Sequence, residues 1–438
     1  MKKMSRLTAM LALLVVWSSL NKPAIAQSSP QAPREAVYDE TGCLYTAYKN
    51  LVMAGYQGWF AAQGDASERG WYHYQNGHCG GFLPGCAAVD FWPDITDYTK
   101  KYRSPFQFAD GTPAYLYSPY DEESVDLHFK WMQDYGIDGV FMQRFVGEIK
   151  ATNPKGKRHF NKVLENALKA AKKYKRAICI MYDLSGCSSA DVAYLEQDWE
   201  ELQTLFRLFD NKENPTYLRH HKKPLVSIWG VGFNDHRKYT IADVDQLVDK
   251  LKGPTNKVAV MLGVPYYWRS LKNDTENAPA LHTLLKKSDI IMPWAVGRYH
   301  PDNYAAVSAV LAGDIAWSKA NNVDYVPLVF PGFSWGNLKH NPAVYDAIPR
   351  LKGEFLWQQV AGARQAGAQA LYVAMFDEID EGTAIYKCAV AGKLPLHGDK
   401  KFVGIEAGLP SDYYLWLTGQ AARWFHGETG FTATKSVR

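Results

Sequence analysis

The chain has 438 residues, a formal net charge of +4 and a hydrophobic content of 47%. Lysine and arginine are spread evenly along it, which argues against nucleic acid as a partner. Beyond the N-terminal region, no stretch reaches about 18 uninterrupted apolar positions, so no transmembrane helix is expected.

The N-terminal residues 1–26 have the composition of a secretory signal peptide. A basic start is followed by an apolar core at residues 7–20 and by Ala-Ile-Ala directly before Gln27. This order predicts cleavage after Ala26 and a mature chain that is secreted or periplasmic. Residues 27–50 are predicted to wrap the domain that residues 51–430 form.

Cysteine and aromatic residues give two further indications. Cys79 and Cys86 flank a turn-rich loop, and in an oxidising compartment they can close a small disulfide. No C-x-x-C pair occurs, so a structural zinc site is not expected. The 14 tryptophans and 27 tyrosines are enough to stack on sugar rings as well as to fill a core.

Apolar, strand-like runs alternate with helix-like segments along the chain. The predicted strands are residues 51–60, 137–145, 177–183, 224–229, 258–263, 289–294, 325–330 and 371–376. The predicted helices are residues 121–135, 160–174, 190–207, 241–252, 276–287, 303–320, 354–367 and 412–426. Eight alternations predict an α/β fold in which a parallel sheet closes into a (β/α)8 TIM barrel, in one catalytic domain with long strand-to-helix loops. A doubly wound open sheet is the alternative, and no G-x-G-x-x-G motif supports its dinucleotide-binding form.

The connection after the first predicted strand is unusually long. Residues 61–120 are rich in glycine, aspartate, tryptophan and tyrosine. Ordinary connections have about 4–6 residues, so a loop of this length indicates a functional segment.

Polar and aromatic residues follow most of the predicted strands. In a (β/α)8 barrel the active site lies at the carboxyl ends of the strands, so these residues are expected to converge on one mouth. The candidate substrate-binding residues are Tyr56, Trp59, Gln143, Arg144, Tyr182, Asp183, Trp229, Tyr266, Trp294, Trp335 and Asp380. They predict aromatic walls over a floor of carboxylates. For two of them the structural alternative is an ion pair between Arg144 and Asp183.

An acidic turn directly follows the eighth predicted strand. Its carboxylates are Asp377, Glu378, Asp380 and Glu381. Like charges this close raise one another's pKa values, and chains usually accept that cost at a functional site. Glycoside hydrolysis typically uses two carboxyl groups, and Glu378 and Glu381 are the predicted catalytic pair, with Asp183 as a third candidate. The structural alternative is a solvated turn closed by Gly382.

Four motifs resemble those of the family 99 endo-α-mannosidases, within the family 71/99-like glycoside hydrolases. They are the turn Glu378-Ile379-Asp380-Glu381-Gly382-Thr383, the first-strand sequence Gly55-Tyr56-Gln57-Gly58-Trp59, and residues 135–140 and 412–415. The sequence is similar above all to the bacterial branch often labelled xylosidase/arabinosidase. The turn departs from the family at Asp377, Ile379 and Asp380, where the family has Asn, Trp and His.

The resemblance implies a mechanism as well as a fold. It implies that Glu381 is the general acid/base. It also implies that Glu378 is the base that assists attack by the sugar's own 2-hydroxyl, with net retention through an anhydro-sugar intermediate.

Two alternatives to hydrolysis stay open on the sequence. A carbohydrate-binding barrel without turnover would keep the aromatic residues, but it would not need both glutamates. The four carboxylates of the turn are also suitable Ca²⁺ ligands, although Ile379 stands where an EF-hand loop needs Asp or Asn. The histidines lack H-E-x-x-H spacing. We therefore expect an exported hydrolase of a polysaccharide or oligosaccharide that requires no metal or cofactor.

Overall fold

The computed structural model describes residues 37–438, and these form a barrel of parallel strands surrounded by helices. The signal peptide predicted at residues 1–26 lies outside the described residues. The described part of the predicted wrapping segment, residues 37–50, lies at the amino-terminal end of the barrel. There the Tyr48 hydroxyl donates to the Leu371 carbonyl at 2.8 Å.

The described residues contain twelve strands and ten α-helices. The strands are β1 Val52–Tyr56, β2 Tyr102–Gln107, β3 Pro113–Leu116, β4 Gly139–Phe145, β5 Ala177–Asp183, β6 Arg219–His220, β7 Lys223–Trp229, β8 Ala259–Pro265, β9 Ile290–Trp294, β10 Asp324–Tyr325, β11 Leu328–Val329 and β12 Leu371–Val373. The helices are α1 Glu122–Tyr135, α2 Val146–Ile149, α3 Pro154–Tyr174, α4 Ser189–Phe206, α5 Ile241–Lys252, α6 Ala280–Lys287, α7 Tyr304–Val307, α8 Val310–Ala320, α9 Glu354–Gln365 and α10 Tyr413–Phe425. Among residues 37–438, every helix is too short or too polar to serve as a membrane span.

The barrel closes through its seventh strand, which is divided into β10 and β11. β10 pairs with β9 on one side, and β11 pairs with β12 on the other. The interruption falls at Val326 and Pro327, where proline has no N–H to donate to a ladder. β12 then pairs with β1, and all of these pairings are parallel. The strands therefore follow one another around the barrel in chain order, which confirms the predicted (β/α)8 fold and excludes the open sheet.

Side chains alternate between the barrel interior and the layer beneath the helices, because the strand pleat has a period of two residues. One buried cluster fills the interior, with Met53, Phe141, Cys179, Met261 and Tyr372 among its members. The adjacent strand residues belong to the outer core, for example Ala54, Val140, Ile178 and Val260. Burial on both faces explains why the strands have nearly continuous apolar sequences.

Two predicted boundaries differ from the structure for identifiable reasons. β1 ends at Tyr56 rather than residue 60, because the next two N–H groups, of Gln57 and Gly58, donate to the Asp377 carboxylate at 2.7 and 2.9 Å. Helix α3 begins at Pro154, six residues before the prediction. Proline is favourable in the first turn of a helix, and here the preceding asparagine caps that turn.

The long loop of residues 61–120 contains the predicted disulfide between Cys79 and Cys86. It also contains the antiparallel pair β2 and β3. The loop reaches the acidic turn, where the N–H groups of Asp90 and Phe91 donate to the Ile379 carbonyl at 3.0 and 3.2 Å. The first connection of the barrel therefore helps to position the candidate catalytic segment.

Candidate active site

A cleft of about 620 Å³ opens at the carboxyl ends of the barrel strands. Its lining combines carboxylates, amides and aromatic rings, among them Gln57, Trp59, His73, Gln143, Phe145, Asp183, Trp229, Trp294, Glu378 and Glu381. A cleft of this volume lies in the range that binds small organic ligands.

The acidic turn is fixed at its end by Ser334 and Arg350. The Ser334 N–H donates to the Glu381 carbonyl at 3.0 Å, and Arg350 Nη2 donates to the Gly382 carbonyl at 2.9 Å. Gly382 has a φ of +62°, and a Cβ there would lie 2.8 Å from Ser334 Cβ. The turn therefore requires glycine at this position, for its backbone conformation and for its close approach to Ser334.

Glu378 is the buried member of the predicted pair. Its Oε1 accepts a hydrogen bond from Gln57 Nε2 at 2.6 Å, and its Oε2 accepts one from Thr383 Oγ1 at 2.7 Å. Burial raises the pKa of the Glu378 carboxyl well above its ordinary value, and the charges of Glu381 and Asp380 raise it further. The carboxyl is therefore held rigidly and favours its protonated form.

Glu381 is the more exposed member of the pair and also lines the cleft. Burial raises the pKa of its carboxyl to about 7, the charge of Asp380 adds to the shift, and Lys339 opposes it. Because the charge of an ionised Glu381 disfavours ionisation of Glu378, the pair keeps one proton after Glu381 has lost its own. A pair in this state offers one acid and one base.

Two amide oxygens beside the glutamates lack hydrogen-bond partners among the described residues. They are Oε1 of Gln57 and Oε1 of Gln143, and both are buried at the cleft. Gln143 is oriented by its Nε2, which donates to the Tyr372 hydroxyl at 2.9 Å. A buried acceptor without a donor costs about 1–3 kcal/mol. Hydroxyl groups of a bound ligand can satisfy both oxygens.

Aromatic rings form two walls of the cleft. Trp59 stacks on His73 with ring centroids 3.8 Å apart, and on Phe145 with centroids 4.9 Å apart. Trp229 and Trp294 form the second pair, with centroids 5.2 Å apart. The position of these rings at the cleft fits the predicted aromatic walls, because aromatic side chains pack well against the apolar parts of sugars.

Asp183 is the third predicted carboxylate, and the structure places it in the same cleft. Its Oδ1 accepts from the Ser185 N–H at 2.7 Å. Burial raises the pKa of its carboxyl, and its charge in turn raises the pKa of Glu381. Its side chain therefore acts on the pair from another strand.

Arg144 and Tyr182, predicted to bind substrate, lie instead between the strands and the helices. Arg144 donates to both carboxylate oxygens of Asp198 at 2.5 and 2.7 Å, and the Tyr182 hydroxyl donates to the same group at 2.8 Å. The ion pair suggested for Arg144 and Asp183 is therefore also wrong, since the partner lies on α4. The pleat explains the outcome, because Gln143 and Asp183, one position along, face the cleft.

Three other predicted residues also fall outside the cleft lining. Tyr56 is fully buried, and its hydroxyl is hydrogen-bonded to His128 Nδ1 at 2.8 Å. The buried Tyr266 donates to the carbonyl of residue 307 at 3.3 Å. Trp335 packs against a neighbouring phenylalanine, and Lys339 Nζ lies 4.5 Å from its ring centroid. Tyr266 and Trp335 lie beyond the ends of their strands, so the strand pleat does not direct their side chains into the cleft.

Asp380 reaches the cleft only through another side chain. It is buried, and its Oδ2 lies 3.2 Å from Nδ1 of His73, which lines the cleft. The sequence reasoning did not assign His73 to the site. The only signal for it was its place in the long first loop.

Solved structures match this fold, whereas no family model and no curated protein matches the sequence. Two structures of the GH99 endo-alpha-mannosidase from Bacteroides thetaiotaomicron, one in complex with bis-tris-propane, cover 87% of this chain and 99% of their own. Each is 16% identical to this chain, with a TM-score of 0.62. At this identity the likeness establishes the fold, which is the one that the motif resemblance implied.

Proposed function

We propose that this protein is an exported glycoside hydrolase that cleaves O-glycosidic bonds of a polysaccharide or oligosaccharide. The observation that carries the proposal is the glutamate pair, Glu378 and Glu381, with its raised pKa values on the floor of an aromatic-walled cleft. The fold shared with an endo-alpha-mannosidase supports it. Export is proposed from the predicted signal peptide.

The proposed mechanism assigns one proton transfer to each glutamate. Glu381 gives its proton to the leaving glycosidic oxygen. Glu378 takes the proton of the sugar's 2-hydroxyl while the oxygen of that hydroxyl attacks the anomeric carbon. Water then opens the anhydro-sugar with the two residues in reversed roles, which gives net retention of configuration. The support is the resemblance of the turn together with the position of both carboxyls at one cleft.

In the free protein the proton lies on Glu378, whereas the first step of the mechanism needs it on Glu381. Glu378 is the more deeply buried, so the proton favours Glu378 over Glu381. A sugar 2-hydroxyl that donates to Glu378 stabilises the ionised form of that carboxyl. We propose that substrate binding thereby transfers the proton to Glu381, where the leaving oxygen needs it.

Two binding positions flank the glutamates in this proposal. The stacked rings of His73, Trp59 and Phe145 supply one, and the pair Trp229 and Trp294 supplies the other. The free oxygens of Gln57 and Gln143 accept from sugar hydroxyls between them. The substrate class that fits is a neutral glycan with at least two rings.

The test is a digestion screen of polysaccharides and oligosaccharides with product analysis, on wild type and on Glu381→Gln. Wild type should release sugars. The variant should lose about 10²–10⁴-fold in kcat/KM on the natural glycan, because general acid catalysis contributes about that much. The loss should be smaller on an aryl glycoside whose leaving group needs no proton.

The control for this test is glycan binding by the variant. Glu381→Gln should bind the glycan as wild type does, since the amide keeps the shape of the side chain. Activity equal to wild type in the variant would contradict the assignment of Glu381. Glycan binding by wild type without any release of sugar would favour the non-catalytic carbohydrate-binding barrel.

A further inference from the structure

A second cavity lies at the opposite end of the barrel, at the amino-terminal ends of the strands. Its volume is about 640 Å³, and its lining includes His220, His221 and Asp324. These residues take no part in the proposed hydrolysis, because the glutamate pair lies at the carboxyl ends of the strands.

The three side chains offer a compact set of ligand atoms. One ligand atom from each residue lies within 4.8 Å of the other two, and His220 Nε2 lies 3.1 Å from Asp324 Oδ2. Ligands in a tetrahedral zinc site lie about 2.0–2.2 Å from the metal. His221 and Asp324 are exposed, so their side chains are free to rotate towards an ion held by His220.

The backbone presents the two imidazoles together. His221 and Lys222 form the two-residue turn between β6 and β7, and both have a positive φ, 47° and 66°. Turns of this kind usually contain asparagine and glycine. The turn places the rings of His220 and His221 with centroids 4.1 Å apart.

The surroundings of His220 point to a ligand. Its side chain is 4% exposed, and its Nε2 lies at ion-pair distance from the Asp324 carboxylate without hydrogen-bond alignment. Its Nδ1 has no hydrogen-bond partner among residues 37–438. A buried imidazole with no aligned hydrogen bond is costly. A metal ion satisfies one nitrogen directly.

We propose that His220, His221 and Asp324 bind one divalent transition-metal ion, with zinc as the representative ion. Two imidazoles and one carboxylate are a donor set that suits zinc, and the cavity leaves the fourth position open to water. The ion joins the β6–β7 hairpin to β10, which lies on the far side of β8 and β9. Its role is to stabilise the barrel, because an ion that binds only the folded state raises the free energy of unfolding.

The test measures zinc bound per untagged chain by equilibrium dialysis and elemental analysis. Wild type should bind one zinc ion that both His221→Ala and Asp324→Ala lose. His236→Ala, which removes an exposed histidine elsewhere, should bind as wild type does. Zinc at about 100 times its Kd should raise the Tm of wild type and of the control by about 3–5 °C. It should leave the Tm of both site variants unchanged.

Each remaining outcome overturns the metal site. Wild type that binds no zinc contradicts it, and so does equal zinc binding by wild type and both site variants, which would assign the ion to other residues such as the acidic turn. The lysines Lys49 and Lys319 also line the cavity. Binding of inorganic phosphate in place of zinc would assign the cavity to an anion.

Discussion

Glu378 and Glu381 are three residues apart, yet their surroundings differ. Glu378 is enclosed by Gln57 and Thr383, whereas Glu381 faces the cleft near Lys339. The fixed charge of Asp380 acts on both carboxyls. At the scale of residues, the proton balance of the pair therefore depends on two neighbours of opposite charge.

Asp380→Asn and Lys339→Met are expected to shift the pH profile of kcat/KM in opposite directions. The active pair holds one proton, so activity falls on the acid side as Glu381 takes up a second one. Asp380 raises the pKa values of both glutamates, so its replacement moves the acid limb to lower pH. Lys339 lowers the pKa of Glu381, so its replacement moves the acid limb to higher pH.

The measurement is kcat/KM from pH 4 to 9 for wild type and both variants on one substrate. Each shift should be roughly 0.5–1 pH unit, the scale of a single nearby charge in a partly solvated site. A shift of both variants in the same direction would mean that the limb reports another group.

At the scale of elements, the pleat of each barrel strand decides which end residues reach the cleft. On β5, Asp183 faces inward and Tyr182 faces α4. On β4, Gln143 faces inward and Arg144 faces outward. The sequence already carried this period-two signal, because the inward positions of a strand share one parity. The parity of each strand therefore distinguishes the inward from the outward residue of each pair.

Asp183→Asn and Tyr182→Phe form a matched pair that tests this alternation. Asp183→Asn should lower kcat/KM by about tenfold or more, since about 1.4 kcal/mol of interaction corresponds to a factor of ten. Tyr182→Phe should leave kcat/KM unchanged and lower the free energy of unfolding by about 1 kcal/mol, the worth of one hydrogen bond.

Steady-state kinetics and urea unfolding measure the two effects separately. A loss of kcat/KM in Tyr182→Phe at unchanged stability would place the hydroxyl in the cleft and contradict the observed orientation.

At the scale of the whole molecule, the acidic turn destabilises the fold that carries it. Glu378 keeps its proton in the folded chain at pH values where the unfolded chain has lost it, since its folded-state pKa is raised. The folded state thus binds more protons from pH 4.5 upwards, and the free energy of unfolding falls as the pH rises through this window.

Glu378→Gln is therefore expected to be more stable than wild type at pH 8, by more than at pH 5, while it loses activity. Glutamine does not ionise, so in the variant this position does not lower the free energy of unfolding as the pH rises. Thermal unfolding of both proteins at the two pH values measures the difference. An equal difference in Tm at pH 5 and pH 8 would contradict a raised pKa for Glu378.

The sequence by itself determined the barrel and the catalytic candidates. Eight apolar runs separated by helical patterns were sufficient, because strands buried on both faces need continuous apolar sequence. The turn from Glu378 to Gly382 was recognisable because a dense group of carboxylates after a buried strand is costly.

Only the tertiary structure decided what depends on contacts between distant segments. Asp377 holds the first strand to the eighth, His73 reaches Asp380 from the long loop, and the pKa values of the glutamates follow from burial that no local pattern encodes. The set His220, His221 and Asp324 is a further case, since about a hundred residues separate its members along the chain. Barrel closure brings such segments together, and the spacing of residues along the sequence does not show how close they lie in space.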